Sequence, residues 1–344
     1  MADCCSADKR PKKWYQNKTV LAALTVTAII GVSYAFAFLE PFRHNLFMYF
    51  GKIWWAVGLG LLIGGAIDHY VPQEHISHVL AKKNKRTILY STVFGFFMSA
   101  CCHGILAISI QLYKKGASVP AVIAFLLASP WANLTFSVVL IGFFGLTKAL
   151  FIIFVSLVIA VVTGLLFQLL DHFDLIEKNT NTVETADNYS IVADIKSRFE
   201  KRRASPQNYT EDARGIYRGT VALANMVVWW ILIGTVLAAA IASYVPAHIF
   251  RDYLGPHPLG LLVTLAFATV VEVCSEGSAP IAFEIFRQTG ALGNALVFLL
   301  AGVATDYTEI GLLWANIGRK TALWLPTITI PQIVAWGVIA NMIF

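Results

Sequence analysis

Long apolar runs, each interrupted at only a few positions, set the pattern of this chain. A polar, basic stretch over 1–18 (Lys9, Arg10, Lys12, Lys13, Lys18) gives way to an apolar run over 19–39. Ala35-Phe36-Ala37 resembles a cleavage site, but the apolar core is longer than that of a signal peptide, so a retained first span is expected. Further runs cover 51–70, 87–113, 118–146, 149–170, 222–244, 259–286, 292–314 and 323–344. A helix of about 20 residues crosses about 30 Å of hydrocarbon, and most of these runs reach that length. The predicted fold class is an all-α polytopic membrane protein with about 8–10 transmembrane segments.

Several runs carry breaks. The run over 87–113 is interrupted by Cys101-Cys102-His103-Gly104, and that over 118–146 by Ala128-Ser129-Pro130-Trp131-Ala132-Asn133. In the second half, breaks are expected near Gly277 and Pro280 and near Ala304-Thr305-Asp306. Glycine and proline at membrane depth are tolerated where the freed backbone faces protein or a cavity. The plan also repeats. A constant offset of 173 residues places Cys101 on Cys274, Gly104 on Gly277, Phe125-Leu126-Leu127-Ala128 on Phe298-Leu299-Leu300-Ala301, and Asn133 on Asp306. Two homologous halves with broken helices meeting at the midplane are therefore predicted, and paired broken helices point to a transporter's binding site.

The polar pieces divide the chain. Residues 1–18 read as a cytoplasmic tail, 19–39 as the first span, 50–170 as one membrane repeat and 219–344 as the second. The basic segment 71–86, with Lys82, Lys83, Lys85 and Arg86, reads as a short interfacial helix on the cytoplasmic side. The stretch 171–218 mixes acids with Lys196, Arg198, Lys201, Arg202 and Arg203 and reads as a cytoplasmic linker. If every broken segment crosses once, the halves are parallel and the linker lies outside. If the Cys-containing segment is a re-entrant hairpin, the halves are inverted and the basic linker stays inside, which positive-inside bias favours.

Composition agrees with a membrane chain. The sequence is 57% hydrophobic and only 13% charged, against about 25% charged in soluble domains, and its mean hydropathy is +0.67. The net charge of +6 fits cytoplasmic loops, and no nucleic-acid motif accompanies it. No Walker loop is present, so this chain does not itself use ATP to drive transport, and no cofactor is called for. The five cysteines, Cys4, Cys5, Cys101, Cys102 and Cys274, form a poor disulfide framework.

Candidate chemistry gathers at the breaks. Thiolate sulfur prefers soft centres such as Cu(I) and also binds Zn; trivalent arsenic shares that preference. Cys101, Cys102 and Cys274 would converge if the halves pack about a pseudo-two-fold axis, although buried cysteines also serve simply as small hydrophobes. His103 and Glu276 hold equivalent places beside them, suited to proton coupling, to ligation, or to a structural hydrogen bond. Asp306 and Asn133 follow the second pair of breaks, and an intramembrane acid is a functional candidate. Glu284 and Arg287 read as a structural ion pair. Cys4 and Cys5 on the tail would capture a soft ion in the cytosol, or be dispensable.

These residues resemble the ArsP-like permeases, membrane proteins associated with efflux of trivalent organoarsenicals and related soft-metal species. The strings Cys101-Cys102-His103-Gly104, Ala128–Asn133 and Val273-Cys274-Ser275-Glu276-Gly277-Ser278-Ala279-Pro280 carry the resemblance. It implies efflux from the cytoplasm and a thiol site at Cys101, Cys102 and Cys274. The family's first motif often reads Cys-x-Cys-Gly and continues to a proline. Here the order is Cys-Cys-His-Gly with Ala107 at the proline position, and the histidine widens the expected range towards Zn or Cu. The expectation is a non-enzymatic, proton-coupled efflux permease in the inner membrane, with a cytoplasmic N-terminus and scope for homo-oligomers. The competing readings are a thiol-redox membrane enzyme and a passive channel for a small neutral solute.

Overall fold

The computed structural model describes residues 18–70, 85–98, 102–179, 208–271 and 274–344. The described residues form fourteen α-helices joined by short turns, and no strand. In chain order these are α1 (Lys18–Ala35), α2 (Glu40–Tyr70), α3 (Lys85–Phe97), α4 (Cys102–Lys114), α5 (Val119–Ala132), α6 (Leu134–Phe144) and α7 (Leu146–His172), then α8 (Asn208–Tyr244), α9 (Ala247–Leu254), α10 (Pro258–Val271), α11 (Ser275–Thr289), α12 (Leu292–Ala304), α13 (Tyr307–Asn316) and α14 (Arg319–Ile343). By length and apolarity 7 elements are able to cross a membrane: α1, α2, the broken pair α5–α6, α7, α8, the broken pair α12–α13, and α14.

Contacts along the helices fix their directions. Asn45 donates to Ser243 Oγ at 3.0 Å near one end of α2 and α8, and His69 meets Asp212 at 3.0 Å near the other, so these long helices run antiparallel. Helices α7 and α14 do the same, with Phe151 packing on Phe344 and Gln332 Nε2 donating to Thr163 Oγ1 at 3.0 Å. One end of the molecule, the linker end, gathers the close of α7, the α4–α5 turn and the start of α14. There Asn179 Nδ2 donates to the Tyr113 and Ala117 carbonyls. Glu177 accepts from the Lys320 and Thr321 amides. The far end gathers the α6–α7 turn, the close of α11 and the close of α14, where Lys148 lies over Phe286 and Phe344.

Two hairpins enter from opposite ends and turn back. Helix α3 runs parallel to α5: Ile88 lies beside Ala124 around Gly164, Gly95 against Phe125 and Ala128, and the Met98 carbonyl accepts from Ser129 Oγ at 3.1 Å. Since α5 starts at the linker end, α3 descends from that end and α4 returns to it. Helix α10 runs parallel to α12 in the same way. Asn294 Nδ2 donates to Thr264 Oγ1, Phe267 packs on Phe298, and Thr269 and Thr305 share a hydroxyl hydrogen bond of 2.9 Å. So α10 descends from the far end and α11 returns there.

Helix starts recur at one interval. Lys85 and Pro258, Cys102 and Ser275, Val119 and Leu292, Leu134 and Tyr307, and Leu146 and Arg319 are each 173 residues apart. Equivalent turns lie at opposite ends of the molecule, and α2, α5 and α7 pack against their own counterparts α8, α12 and α14.

The structure moves two expected breaks: helix α4 already runs from Cys102 through Gly104, and the break expected near Gly277 and Pro280 is displaced in the same way. Helix α11 passes through Gly277 and Pro280 without interruption, and its N-cap is Cys274, whose backbone is not helical (ψ 145°). Pro280 is in the second turn, where it forfeits only one amide bond, to the Glu276 carbonyl. Gly277 serves packing instead: a side chain on Gly234 of α8 would overlap its carbonyl. Helix α14 likewise continues through Pro326 and Pro331. The 71–84 part of the expected interfacial helix lies outside the described residues. A short helix does lie at the far end: α9 meets α10 at 106°, with Phe250 buried on its inner face.

Candidate functional site at the helix breaks

Four half-helices, α4, α6, α11 and α13, begin near the middle of the molecule. Asn133, about half-way along the broken span α5–α6, is at once the C-cap of α5 and the N-cap of α6. Its backbone leaves the helical region there (φ −61°, ψ 154°), and Oδ1 accepts from the Phe136 amide at 2.7 Å. Asp306 does the same for α13, with Oδ1 accepting from the Thr308 and Glu309 amides at 2.7 and 3.0 Å. Asparagine and aspartate are preferred at this position because they satisfy amides that the helix cannot. Both residues are buried. Glu309, in the first turn of α13, is buried as well.

Cys274 caps α11, and its thiol donates to Glu276 Oε2 at 2.7 Å. Ser275 Oγ donates to the same oxygen at 3.1 Å, and Ser278 Oγ donates to the Cys274 carbonyl at 3.2 Å. Cys274 is 6% exposed and Glu276 2%. A buried thiol thus sits in direct contact with a buried carboxylic group where α11 begins.

The structure brings some of the expected residues together and leaves others outside its description. Cys274 and Glu276 are joined; Asn133 and Asp306 hold equivalent cap positions in the two broken spans. Cys4, Cys5 and Cys101 lie outside the described residues, as do the side chains of Cys102 and His103, which open α4. Among the described residues no group of three or more His, Cys, Asp or Glu is placed to hold a metal ion.

Glu284 has the structural role expected of it. Buried in α11, it receives Arg287 Nε at 2.7 Å and Nη2 at 2.8 Å, Gln288 Nε2 at 2.6 Å, and the Tyr49 hydroxyl. The Tyr49 contribution joins α2 to the hairpin, and spacing along the chain gave no sign of it. Trp131 is a further residue that sequence reasoning passed over: its indole Nε1 is buried without a hydrogen-bond partner. The signal was present, since a tryptophan N–H beside a proline break needs an acceptor.

A family model described as "predicted permease", ArsP_1, matches residues 43–342. This chain belongs to the ArsP_1 permease family. The match takes in the chain from α2 through α14 and leaves out α1 and the Cys4-Cys5 tail. Among curated relatives, UPF0718 protein YcgR of Bacillus subtilis is 24% identical over 290 residues, covering 82% of this chain and 91% of that protein. A Streptococcus mutans protein named "Putative two-component membrane permease complex subunit" is 23% identical over 255 residues, 73% of this chain and 79% of its own. UPF0718 protein MJ0584 of Methanocaldococcus jannaschii is 21% identical over 344 residues, with 84% and 91% covered. No solved structure matches the chain. The ArsP_1 chain is thus a multi-pass membrane permease, and its relatives are named as UPF0718 proteins and as permeases.

Proposed function

We propose that this ArsP_1 permease is a secondary-active exporter of thiophilic substrates, a trivalent organoarsenical or a soft metal ion, coupled to protons. The observation that carries the reading is the Cys274–Glu276 contact at a hairpin tip. A thiol becomes a strong ligand for a soft centre only on losing its proton. Glu276 Oε2, 2.7 Å from Sγ, is the acceptor at hand. Substrate capture at Cys274 then passes the thiol proton through Glu276 to the cytoplasmic side, and on release a different proton, taken up from the opposite side, restores the thiol. Substrate movement is thereby tied to a proton that an aqueous pathway exchanges. Cys101 and Cys102 supply further sulfurs in this proposal, His103 and Asp306 share the coupling, and the tail pair Cys4 and Cys5 delivers cytosolic substrate.

The two halves are proposed to form one inverted repeat, with a hairpin from each side. Lys114, Lys115, Lys178, Arg319 and Lys320 flank the linker end, and positive-inside bias assigns that end to the cytoplasm, with the N-terminus beside it. The α3–α4 hairpin then opens inward and the α10–α11 hairpin outward, the arrangement used for alternating access around a midplane site. The name of the Streptococcus relative, a subunit of a two-component membrane permease complex, supports assembly with a second component.

The test is uptake into everted inner-membrane vesicles of phenylarsine oxide, Cu(I) and Zn(II), with and without an imposed proton gradient. Gradient-dependent uptake that Cys274→Ser abolishes at unchanged protein level is expected. Uptake indifferent to both the gradient and Cys274 assigns a passive channel instead.

A further inference from the structure

The two cap residues of the broken spans are alike in what they bind and opposite in what they leave over. Asn133 commits Oδ1 to the Phe136 amide, and this fixes which way the side-chain amide points, since only oxygen accepts from an N–H. Its Nδ2 is buried without a partner in a residue 1% exposed. Asp306, 173 positions later, commits Oδ1 to two amides and is left with a carboxylate oxygen. At one break the spare group is a donor; at the other it is an acceptor. The donor lies beside the α3–α4 hairpin, whose last described carbonyl, that of Met98, is held by Ser129 four residues before Asn133. A buried N–H pair without a partner is uncommon in proteins and calls for a ligand atom or a water.

We propose that Asn133 Nδ2 is a substrate-contacting hydrogen-bond donor, and that the substrate therefore carries an acceptor oxygen beside its soft atom. The inference rests on the permease reading above and narrows it. An amide N–H and the N-terminal end of α6 both favour an electron-rich group, and neither stabilises a bare cation. A hydroxo or oxo species of a soft element has both parts, a centre for sulfur and an oxygen for Asn133. A naked Cu(I) ion has only the first.

The test exploits the fact that serine and aspartate cap helices as well as asparagine. Asn133→Ser keeps the cap and removes the amide donor; Asn133→Asp keeps the cap and replaces the donor with an acceptor. Everted vesicles are loaded with phenylarsine oxide, which hydrates to place hydroxyls on arsenic, or with Cu(I). Loss of one substrate hydrogen bond predicts a drop of about ten-fold in phenylarsine oxide uptake for Asn133→Ser, and a larger one for Asn133→Asp. Cu(I) uptake is unchanged in both. Equal loss of both probes overturns the proposal in favour of a structural cap, and so does no loss of either. Wild-type vesicles that accumulate neither probe overturn the permease reading. In that case the donor role is judged on purified protein: phenylarsine oxide raises the wild-type melting temperature but not that of Asn133→Ser if the role stands, and raises both or neither if it falls.

Discussion

At the scale of single residues, polar groups in this chain sit where the backbone leaves amides unsatisfied. Glu177 is the clearest case outside the membrane-spanning helices. Its carboxylate receives the Lys320 and Thr321 amides at 2.7 and 2.9 Å and the Thr321 hydroxyl at 2.8 Å, so it caps α14 from the segment that follows α7. Burial pushes its carboxyl up, but those three hydrogen bonds outweigh the penalty and hold it below the usual carboxylate range. A depressed value means that the stabilisation is present above the ordinary glutamate value of about 4.3 and is lost as pH falls through the folded value. Thermal scans in detergent should therefore show wild type losing stability on acidification below that range, with Glu177→Gln less sensitive there and less stable at neutral pH. Glu284 is bound just as fully, by Arg287, Gln288 and Tyr49. Glu284→Ala strands a guanidinium that is partly exposed and a buried phenol. A loss of about 2 kcal/mol is expected in reversible unfolding, below the range for fully buried pairs; Tyr49→Phe should cost about 1 kcal/mol.

At the scale of elements, close helix contacts depend on absent side chains. Glycine on a membrane helix lets backbones approach where no apolar driving force separates helix from lipid. Gly234 meets the Gly277 carbonyl in this way, joining α8 to the α11 hairpin leg, whereas nothing lies within 4 Å of the Cβ position at Gly58 on α2. Gly234→Leu should therefore lower the yield of monodisperse protein and its melting temperature, while Gly58→Leu leaves both unchanged. Size-exclusion profiles of the two variants side by side decide the matter. Helix α14 stays continuous through Pro326 and Pro331, packed along its length on α12 and α7.

At the scale of the whole molecule, sidedness is the property to measure. If the linker end faces the cytoplasm, a single cysteine at Lys115 or Lys178 in a cysteine-free chain is labelled by an impermeant maleimide only in everted vesicles. One at Arg251 or Asp252 is labelled only in intact cells with a permeabilised outer layer. The opposite pattern reverses the assignment of the two hairpins and turns the exporter geometry round. Labelling of both positions from one side contradicts the antiparallel packing of α7 on α14.

The apolar runs by themselves determined that this chain lives in a bilayer, that its helices are many, and that two of its spans break at Asn133 and Asp306. Span length and the cost of unsolvated polar groups act locally, so they can be read from neighbouring residues. The offset of 173 residues, at which five pairs of helix starts fall, was legible in the sequence for the same reason. Which breaks are re-entrant and which cross was decided only by packing. Ile88 beside Ala124 and Thr269 beside Thr305 set the directions of α3 and α10, and no periodicity encodes a partner on another helix. The Cys274–Glu276 contact and the spare donor of Asn133 belong to the tertiary structure too. Both depend on which oxygen a backbone amide has already claimed, and that is known only once the chain has turned.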